Sequence, residues 1–217
     1  MKNEKKKNAG TEFRFGGDSV RGSLLWSAAF QASEPWLFEF EKGGTREFGK
    51  TADGQACLRI DCAKKLGATG WIQREFPGDL VIEFEAIAIP PADCNNLNLF
   101  FCARSLDGQP LSATTRSGTY SDYHVFPNYI FTFVTSHSRV RRDPGFEIIG
   151  EVKERTSKFG VPYRIVVAKT GGRIRTSIND EPVHDVTDPN PHGAGWVGLR
   201  TWNTHVEYRG FHIYAVV

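Results

Sequence analysis

The sequence predicts an all-β fold, an antiparallel β-sandwich or jelly roll. Three observations predict it: apolar and polar residues alternate over most of the chain, Gly- and Pro-containing turns separate the alternating segments, and helical patterns are nearly absent. The chain has 217 residues, of which 40% are hydrophobic, enough for one large core. We therefore expect a polar N-terminal tail over residues 1–20 and a single domain over residues 21–217.

Each predicted strand rests on a period of two. In the segment 36–41, Trp36, Phe38 and Phe40 lie on one face, and Glu39 and Glu41 lie on the other. The same alternation predicts strands over residues 11–15, 79–89, 96–104, 129–141, 163–169, 173–179, 195–200 and 205–217. Only residues 146–159 suggest a helical turn, and Gly150 interrupts that segment.

Composition excludes several classes of protein. A formal net charge of +2 does not fit a dedicated nucleic-acid-binding protein, and no apolar run is long enough to cross a membrane. The spacing of the four cysteines, Cys57, Cys62, Cys94 and Cys102, is not that of a zinc site. We expect four buried thiols and a cytoplasmic location. The alternative is a periplasmic or secreted protein whose signal peptide was removed.

The C-terminal third has a distinctive arrangement. Residues 163–188 predict a strand, a Gly-Gly turn, a strand and a tight turn, and residues 195–217 supply two closing strands. This order resembles the concanavalin A-like lectin/glucanase superfamily over residues 22–217. The resemblance implies two curved sheets, the concave one holding sugar.

A shorter motif is more specific. Residues 116–126, RSGTYSDYHVF, resemble the bacterial domain-of-unknown-function family 1961, whose members are often encoded beside genes for degrading pectic polysaccharides. The matching residues are Arg116, Gly118, Thr119, Tyr120, Tyr123 and His124. The resemblance implies a substrate class, an acidic plant or bacterial glycan, more than a reaction. The E-x-D-x-x-E motif of glucanases with this fold is absent, and Glu83-x-Glu85 is the nearest approach to it.

The same motif supplies the candidate catalytic residues. Tyr120, Tyr123 and His124 are proton-transfer groups, and Asp122 could orient the imidazole. The cationic candidates are Arg116, Arg139, Arg141 and Arg142, of which Arg139 and Arg141 lie on one strand face. Arg139 or Arg116 would hold a uronate carboxylate in a bidentate pair, which also acidifies the C5 proton for β-elimination. The alternatives are a loop pinned by tyrosine hydroxyls and a solvated edge strand protected by charge.

Other side chains are candidates for substrate binding. The face of residues 96–104 that carries Asn98 and Arg104 mixes polar, aromatic and cationic groups, and Trp202 shares a strand face with Arg200. Glu85 completes the predicted set. The loop 184–193 holds His, Asp and Asn, but its spacing is not diagnostic of calcium or zinc, so we expect neither a metal nor a cofactor.

Two versions of a carbohydrate-active function remain open. In the first, the protein is an enzyme acting on a uronate-containing glycan, by β-elimination or as a glycoside hydrolase without the usual motif. In the second, it is a lectin-like binding module. A third alternative is a structural module with no glycan ligand. The expected partner is an oligosaccharide or polysaccharide, without nucleic acid or membrane, and the expected state is a monomer or homodimer.

Overall fold

A computed structural model describes residues 10–41, 43–63, 66–90, 92, 94–111 and 116–217. Within these ranges there are sixteen β-strands and one short 3₁₀ helix, Tyr120–Tyr123. The strands are β1 Thr11–Phe15, β2 Asp18–Ser27, β3 Trp36–Phe40, β4 Thr45–Lys50, β5 Ala56–Asp61, β6 Gly67–Phe76, β7 Leu80–Ile89, β8 Asn96–Ala103, β9 Asn128–Val134, β10 Ser138–Asp143, β11 Glu147–Val152, β12 Pro162–Thr170, β13 Arg173–Ile178, β14 Glu181–Thr187, β15 Gly195–Trp202 and β16 His205–Val216. None of the helices in the described residues is long and apolar enough to span a membrane.

The strands form two antiparallel sheets that face one another, which confirms the predicted β-sandwich. The seven-stranded sheet has the order β11-β10-β9-β8-β15-β6-β3. The nine-stranded sheet has the order β1-β2-β16-β7-β12-β13-β14, with β5 also paired to β16 and β4 paired to β5. Every strand pairing is antiparallel, so short hairpins can connect neighbours without a helical crossover.

Two sequence predictions differ from the structure, and a further strand was not predicted at all. Residues 146–159 contain strand β11 and no helical turn, because Glu147–Val152 pairs with β10. Residues 11–20 belong to the sandwich, since β1 pairs with β2; of the predicted tail, residues 1–9 lie outside the described residues. Strand β6 was not predicted, because its first four residues, Gly67 to Gly70, are small and hydropathy does not alternate along them.

The main core lies between the sheets and follows the predicted alternation. On β8, Leu97, Leu99 and Phe101 point inward and are fully buried. They pack with inward residues of the other sheet such as Ile82 and Phe84. The opposite face of β8 carries Asn98 and Phe100, which puts polar chemistry on the outer face of the seven-stranded sheet.

The cysteines behave as expected for thiols in a packed protein. Cys57, Cys62 and Cys102 are buried free thiols, and Cys94 is partly exposed. Burial raises the pKa of the Cys62 and Cys102 thiols to about 12, so neither is a thiolate at neutral pH. These thiols contribute packing, and no reactive cysteine chemistry follows from them.

His184 couples the stability of the fold to pH. The imidazole on β14 is buried against Ser138, whose hydroxyl lies 2.9 Å from Nε2, and burial lowers its pKa to about 4. The unfolded state, with an ordinary His pKa near 6.5, binds the extra proton first as pH falls. We expect this residue to remove on the order of 2–3 kcal/mol of stability between about pH 6.5 and pH 4. Urea unfolding at several pH values measures it, and His184→Gln should flatten that part of the profile; an unchanged slope would contradict the assignment.

Candidate functional site

A loop crosses the outer face of the seven-stranded sheet and is pinned there by one buried carboxylate. Glu39 of β3 accepts hydrogen bonds at Oε2 from the Trp71 indole N–H and the Tyr123 hydroxyl, each at 2.9 Å. Arg116 pairs with Glu39 Oε1 through Nη2 at 2.6 Å. The carboxylate is 5% exposed, so its charge is balanced by Arg116 and its lone pairs by these donors. The loop residues are thereby held against β3 and β6.

A second set of contacts fixes the loop beside the first. Thr119 donates to Glu41 Oε1 at 3.1 Å, and Arg200 Nη1 donates to the Gly118 carbonyl at 3.0 Å. Gly118 has φ +84°, and a Cβ there would lie 2.6 Å from the backbone of Phe40. Only glycine tolerates both the left-handed conformation and this close approach to β3.

Beneath the loop, a second hydrophobic cluster covers part of the same sheet face. It joins strand residues to residues of the loop, and its buried members are Trp71, Phe100, Ala103, Leu111, Tyr123, Phe126, Ile130 and Trp196. This cluster explains why several strands of the sheet are apolar on both faces. It leaves one part of the outer face unfilled.

That unfilled part is a cavity of about 410 Å³ beside the 3₁₀ helix. Strands β8, β9, β10 and β15 supply most of its walls, and Tyr120 supplies the side nearest the loop. The lining residues are Cys94, Asn95, Asn96, Asn98, Tyr120, Thr132, Val134, Thr135, His137, Arg141, Arg200 and Trp202. The lining combines two guanidinium groups, several amides, a phenol, an imidazole and an indole.

The two arginines of the cavity are buried cations. Arg200 is 0% exposed and Arg141 is 5% exposed, and among the described residues neither has a carboxylate partner within ion-pairing distance. Arg141 Nη1 donates to Thr132 Oγ1 at 3.2 Å, while its Nε has no hydrogen-bond partner in the described part of the chain. Within the same residues, the Nε and Nη2 of Arg200 also have none. Burial lowers the pKa of both guanidinium groups. The Glu41 carboxylate near Arg200, and the Asp143 and Glu151 carboxylates near Arg141, oppose this shift from beyond ion-pairing distance.

Tyr120 lies between the two cations. The Arg200 guanidinium carbon is 5.0 Å from the centre of the Tyr120 ring and 4.7 Å from that of Tyr123. Burial raises the pKa of the Tyr120 phenol, with the charges of Arg141 and Arg200 opposing that rise. At neutral pH the phenol is therefore protonated and can donate a hydrogen bond or a proton.

His137 lines the same cavity from the turn before β10. Burial, followed by the charges of Arg139 and Arg141, lowers the pKa of its imidazole. The imidazole is accordingly neutral at neutral pH and can accept a proton. Its Nδ1 lies 2.8 Å from the Ser136 hydroxyl.

His124 lies behind Tyr120 and does not line the cavity. Its Nδ1 is 3.1 Å from the buried Asp143 carboxylate, and its ring is 4.4 Å from the Tyr120 ring, edge on. Phe146 also packs against the imidazole, with ring centres 4.2 Å apart, and its ring centre is 5.8 Å from that of Tyr120. His124 is thus placed to position Tyr120, not to contact a ligand. Asp122, which the sequence assigned to orient this imidazole, instead accepts hydrogen bonds from Ser117.

Of the residues predicted from sequence, four line the cavity: Asn98, Tyr120, Arg200 and Trp202. Tyr123 and Arg116 are bound to Glu39 in the loop anchor. Arg139 is ion-paired with Glu151 on the neighbouring strand.

Two predicted binding residues lie apart from this cavity. Arg104 is paired with Glu75 at 2.7 Å, on the rim of the seven-stranded sheet. Glu85 is on β7 of the opposite sheet and pairs with Arg209 at 3.2 Å, so it cannot share a site with Asn98. Glu85 therefore does not lie on the same sheet face as the other predicted substrate-binding residues.

Thr132, His137 and Asn95 line the cavity and were not predicted from the sequence, whereas Arg141, which also lines it, was a candidate to which no role was assigned. Arg141 had a detectable signal, because it stands two residues from Arg139 and so shares its strand face. What separates the two arginines is pairing: Glu151 neutralises Arg139, and among the described residues no carboxylate neutralises Arg141. That difference depends on which strand lies alongside, and β11 provides Glu151.

The loop 184–193 is held by protein contacts. Asp188 accepts hydrogen bonds from the Tyr129 hydroxyl at 2.6 Å and from Arg142 at 2.9 Å. His192 contacts the Asp143 carbonyl with Nε2 at 2.6 Å. In the described part of the chain, no three His, Cys, Asp or Glu side chains are grouped so as to hold a metal ion.

Comparison with solved structures shows the fold. A protein of unknown function with a galectin-like fold from Bacillus subtilis matches with a TM-score of 0.75 at 20% identity, over 90% of this chain and 97% of that one. The carbohydrate-binding module CBM66 from Bacillus subtilis matches with a TM-score of 0.61 at 12% identity, over 86% and 99% of the two chains. A β-glucanase of Bacillus licheniformis matches with a TM-score of 0.56 at 11% identity, over 89% and 98%. The sandwich is therefore of the galectin-like and concanavalin A-like type.

The sequence was also compared with protein families. The family described as a domain of unknown function, DUF6250, matches residues 62–211. It is not the family 1961 that residues 116–126 resemble, and membership of that second family is not shown. No curated protein matches the chain.

Proposed function

The chain belongs to the DUF6250 family, and from the fold of that chain and the chemistry of its cavity we propose that it binds an acidic glycan through a uronate carboxylate. The observation that carries the proposal is the pair of buried cations, Arg141 and Arg200, beside one cavity. This is the substrate class implied by the resemblance of residues 116–126. The arginines differ from those expected, since Arg141 takes the place of Arg139 and Arg116.

The charge of the cavity favours an anion. Moving a guanidinium out of water is costly unless an opposite charge or enough hydrogen bonds replace the solvent. Arg116 and Arg142 each have a carboxylate, Glu39 and Asp188, whereas Arg141 and Arg200 have hydroxyl, carbonyl and aromatic neighbours. A planar carboxylate matches the fork of a guanidinium in bidentate geometry. A uronate entering the cavity would give Arg141 that partner and would lie in the field of Arg200.

The rest of the lining favours a sugar. Trp202 is 40% exposed at the rim, and a flat indole can stack on the apolar face of a sugar ring. Among the residues that the structure describes, the buried amide oxygen of Asn98 has no hydrogen-bond partner, and neither do the amide oxygen and nitrogen of Asn95. Sugar hydroxyls both donate and accept, so they suit such groups. Carbohydrate binding also agrees with the structural neighbours, one a carbohydrate-binding module and one a glucanase.

Calorimetric titration with acidic and neutral oligosaccharides tests this function. The panel should contain oligogalacturonates, glucuronate-containing oligosaccharides and their neutral counterparts. We expect measurable affinity for at least one uronate ligand and none for the neutral counterpart of the same linkage. Equal affinity for both, or binding of neither, would overturn the role of the two arginines.

Replacing Trp202 by alanine should weaken binding of the uronate ligand by roughly 1–2 kcal/mol, the range of a truncated contact residue. The reason is loss of the stacking surface at the cavity rim. Phe159→Ala is the matched control, because Phe159 is similarly exposed, 38% against 40%, and does not line the cavity. Calorimetry measures both variants, and unchanged binding by the Trp202 variant would remove the indole from the site.

A second candidate function is β-elimination, favoured by the presence of Tyr120 and His137 on one cavity. His137 would remove the C5 proton of the uronate while Arg141 stabilises the charge that develops on the carboxylate. The C4–O4 bond would then break, a C4=C5 double bond would form, and the Tyr120 phenol would protonate the departing O4. No water is consumed, and the products together have the composition of the substrate.

Tyr120→Phe tests the elimination. If the wild-type protein releases unsaturated uronate products, this variant should lower their rate of formation by about 10²-fold or more, the usual contribution of a general acid. Affinity should stay within about tenfold of the wild type, because the ring and its contacts remain. Absorbance of the unsaturated product follows the reaction, and Tyr214→Phe, on the other sheet, is the control. Wild-type turnover by the Tyr120 variant would exclude the phenol as the acid.

A further inference from the structure

The walls of the cavity determine which part of a glycan chain can enter it. This inference rests on the proposed function, since it assumes that the ligand is a uronate glycan. A ligand bound along its middle needs an open path on both sides of the bound sugar, whereas a ligand bound by its end needs only one. The distribution of covered and exposed sheet surface around the cavity therefore distinguishes the two modes.

Across the strands, the path is closed on the side of β6 and β3. Residues 116–119 occupy the outer face there, with Arg116 paired to Glu39, Thr119 bound to Glu41 and Arg200 bound to the Gly118 carbonyl. The approach is so close that a Cβ on Gly118 would overlap β3, and one on Gly67 would lie 2.8 Å from the Gly118 carbonyl oxygen. No layer of sugar fits between the loop and these strands.

Along the strands, the path is closed in one direction as well. Trp71, Phe100 and Ile130 lie two positions from Thr69, Asn98 and Thr132 on their strands, all displaced in the same direction along the sheet. The loop residues Tyr123 and Phe126 cover them. These side chains are buried, between 0% and 6% exposed, so this direction is packed protein. The exposed residues of the lining, Trp202 and Thr135, lie at the other end of the same strands.

The groups that would recognise a carboxylate are at the closed end. Arg200 is beneath Tyr120, where the loop meets the sheet, and Arg141 binds Thr132 next to it. The indole of Trp202 is at the exposed rim. A cavity of about 410 Å³ is at the small end of ligand sites and suits one or two sugar rings.

We infer that the cavity receives the end of a glycan chain, with the uronate as the terminal residue at the closed end and the following sugar stacked on Trp202 at the rim. The ligand class is thus an oligosaccharide or polysaccharide that ends in a uronate. A chain that continued beyond Arg141 toward β6 and β3, or toward Phe100 and Ile130, would meet residues 116–119 or the second hydrophobic cluster, so the closed end accommodates a terminal uronate better than an interior one.

Three positional isomers of one trisaccharide test the inference with the wild-type protein. Each carries a single uronate, at the non-reducing end, in the middle or at the reducing end, the other two sugars being neutral. We expect one terminal isomer to bind at least about tenfold more tightly than the middle isomer. A middle isomer that binds as tightly as both terminal ones would overturn end recognition while leaving uronate binding intact. Failure of all three, together with failure of free galacturonate and glucuronate, would overturn the proposed function and this inference with it.

A chain-length series of oligogalacturonates gives an independent measurement. Bound by its end, each chain takes up one protein molecule, and affinity per chain stays within about twofold from the trisaccharide to the octasaccharide. Bound in its interior, a chain offers more sites as it lengthens, so affinity per chain and the number of protein molecules per chain both rise. A rising stoichiometry would contradict the inference even if the isomers were ambiguous.

Discussion

Arg141→Gln is expected to weaken binding of the uronate ligand by about 10- to 100-fold, the size of a lost charge-assisted hydrogen bond. Glutamine removes the cation and keeps a polar side chain on β10. Affinity for the uronate ligand should fall toward that of its neutral counterpart, because the variant can no longer distinguish a carboxylate from a hydroxymethyl group. Calorimetry with the matched acidic and neutral oligosaccharides measures both effects.

Arg139→Gln is the matched control for this prediction. Arg139 lies on the same strand, two residues away, but is paired with Glu151 and does not line the cavity. Removing it should change affinity by less than about twofold, through long-range charge alone. Equal losses from the two variants would mean that the general positive charge of β10 attracts the glycan, and that Arg141 has no specific role.

Glu39→Gln should lower the free energy of unfolding by about 3–5 kcal/mol, the cost of breaking a buried ion pair at one partner. The substituted amide oxygen can still accept a hydrogen bond from Trp71 or Tyr123, but the buried Arg116 guanidinium loses its counter-charge. The midpoint of thermal unfolding should fall by on the order of 10 °C. Differential scanning calorimetry or urea unfolding measures the change.

Two further variants make the Glu39 prediction specific. Glu75→Gln breaks the Arg104 ion pair, whose carboxylate is 36% exposed, and should cost no more than about 1 kcal/mol. The double variant Glu39→Gln, Arg116→Met should recover part of the lost stability, since it no longer buries an uncompensated charge. If the double variant is less stable than Glu39→Gln alone, Arg116 stabilises the loop by its contacts with Trp71 and Phe126 and not through Glu39.

One sequence motif supplies both the contacts that hold the loop on Glu39 and a wall of the cavity. Residues 116–126 contain both Arg116 and Tyr123, which hold the loop on Glu39, and Tyr120, which faces the cavity. Sequence reasoning placed all three in a single site, because they are close along the chain. In the structure, the side chains point in different directions. On the 3₁₀ helix, Tyr123 points inward and is 0% exposed, whereas Tyr120 lines the cavity.

Local patterns in the sequence were sufficient to predict the β-sandwich and most of its strands. Alternation reports which face of a strand is buried, so β7, β8, β9 and β12 could be read from their own residues. The same pattern predicted that Asn98 and Arg200 lie on the sheet face where the structure places the cavity. Strand β6 was missed because its first four residues, Gly67 to Gly70, are all small, so hydropathy does not alternate along them.

The tertiary structure alone decided which charged residues are neutralised and which face the cavity. Arg139 and Arg141 are nearly identical in sequence context, yet β11 brings Glu151 to the first, and among the described residues no carboxylate reaches the second. Glu85 alternates like a site residue but belongs to the opposite sheet. Periodicity specifies the face of a strand, whereas the partner of a charge depends on strand order and loop path, which join residues far apart in the chain.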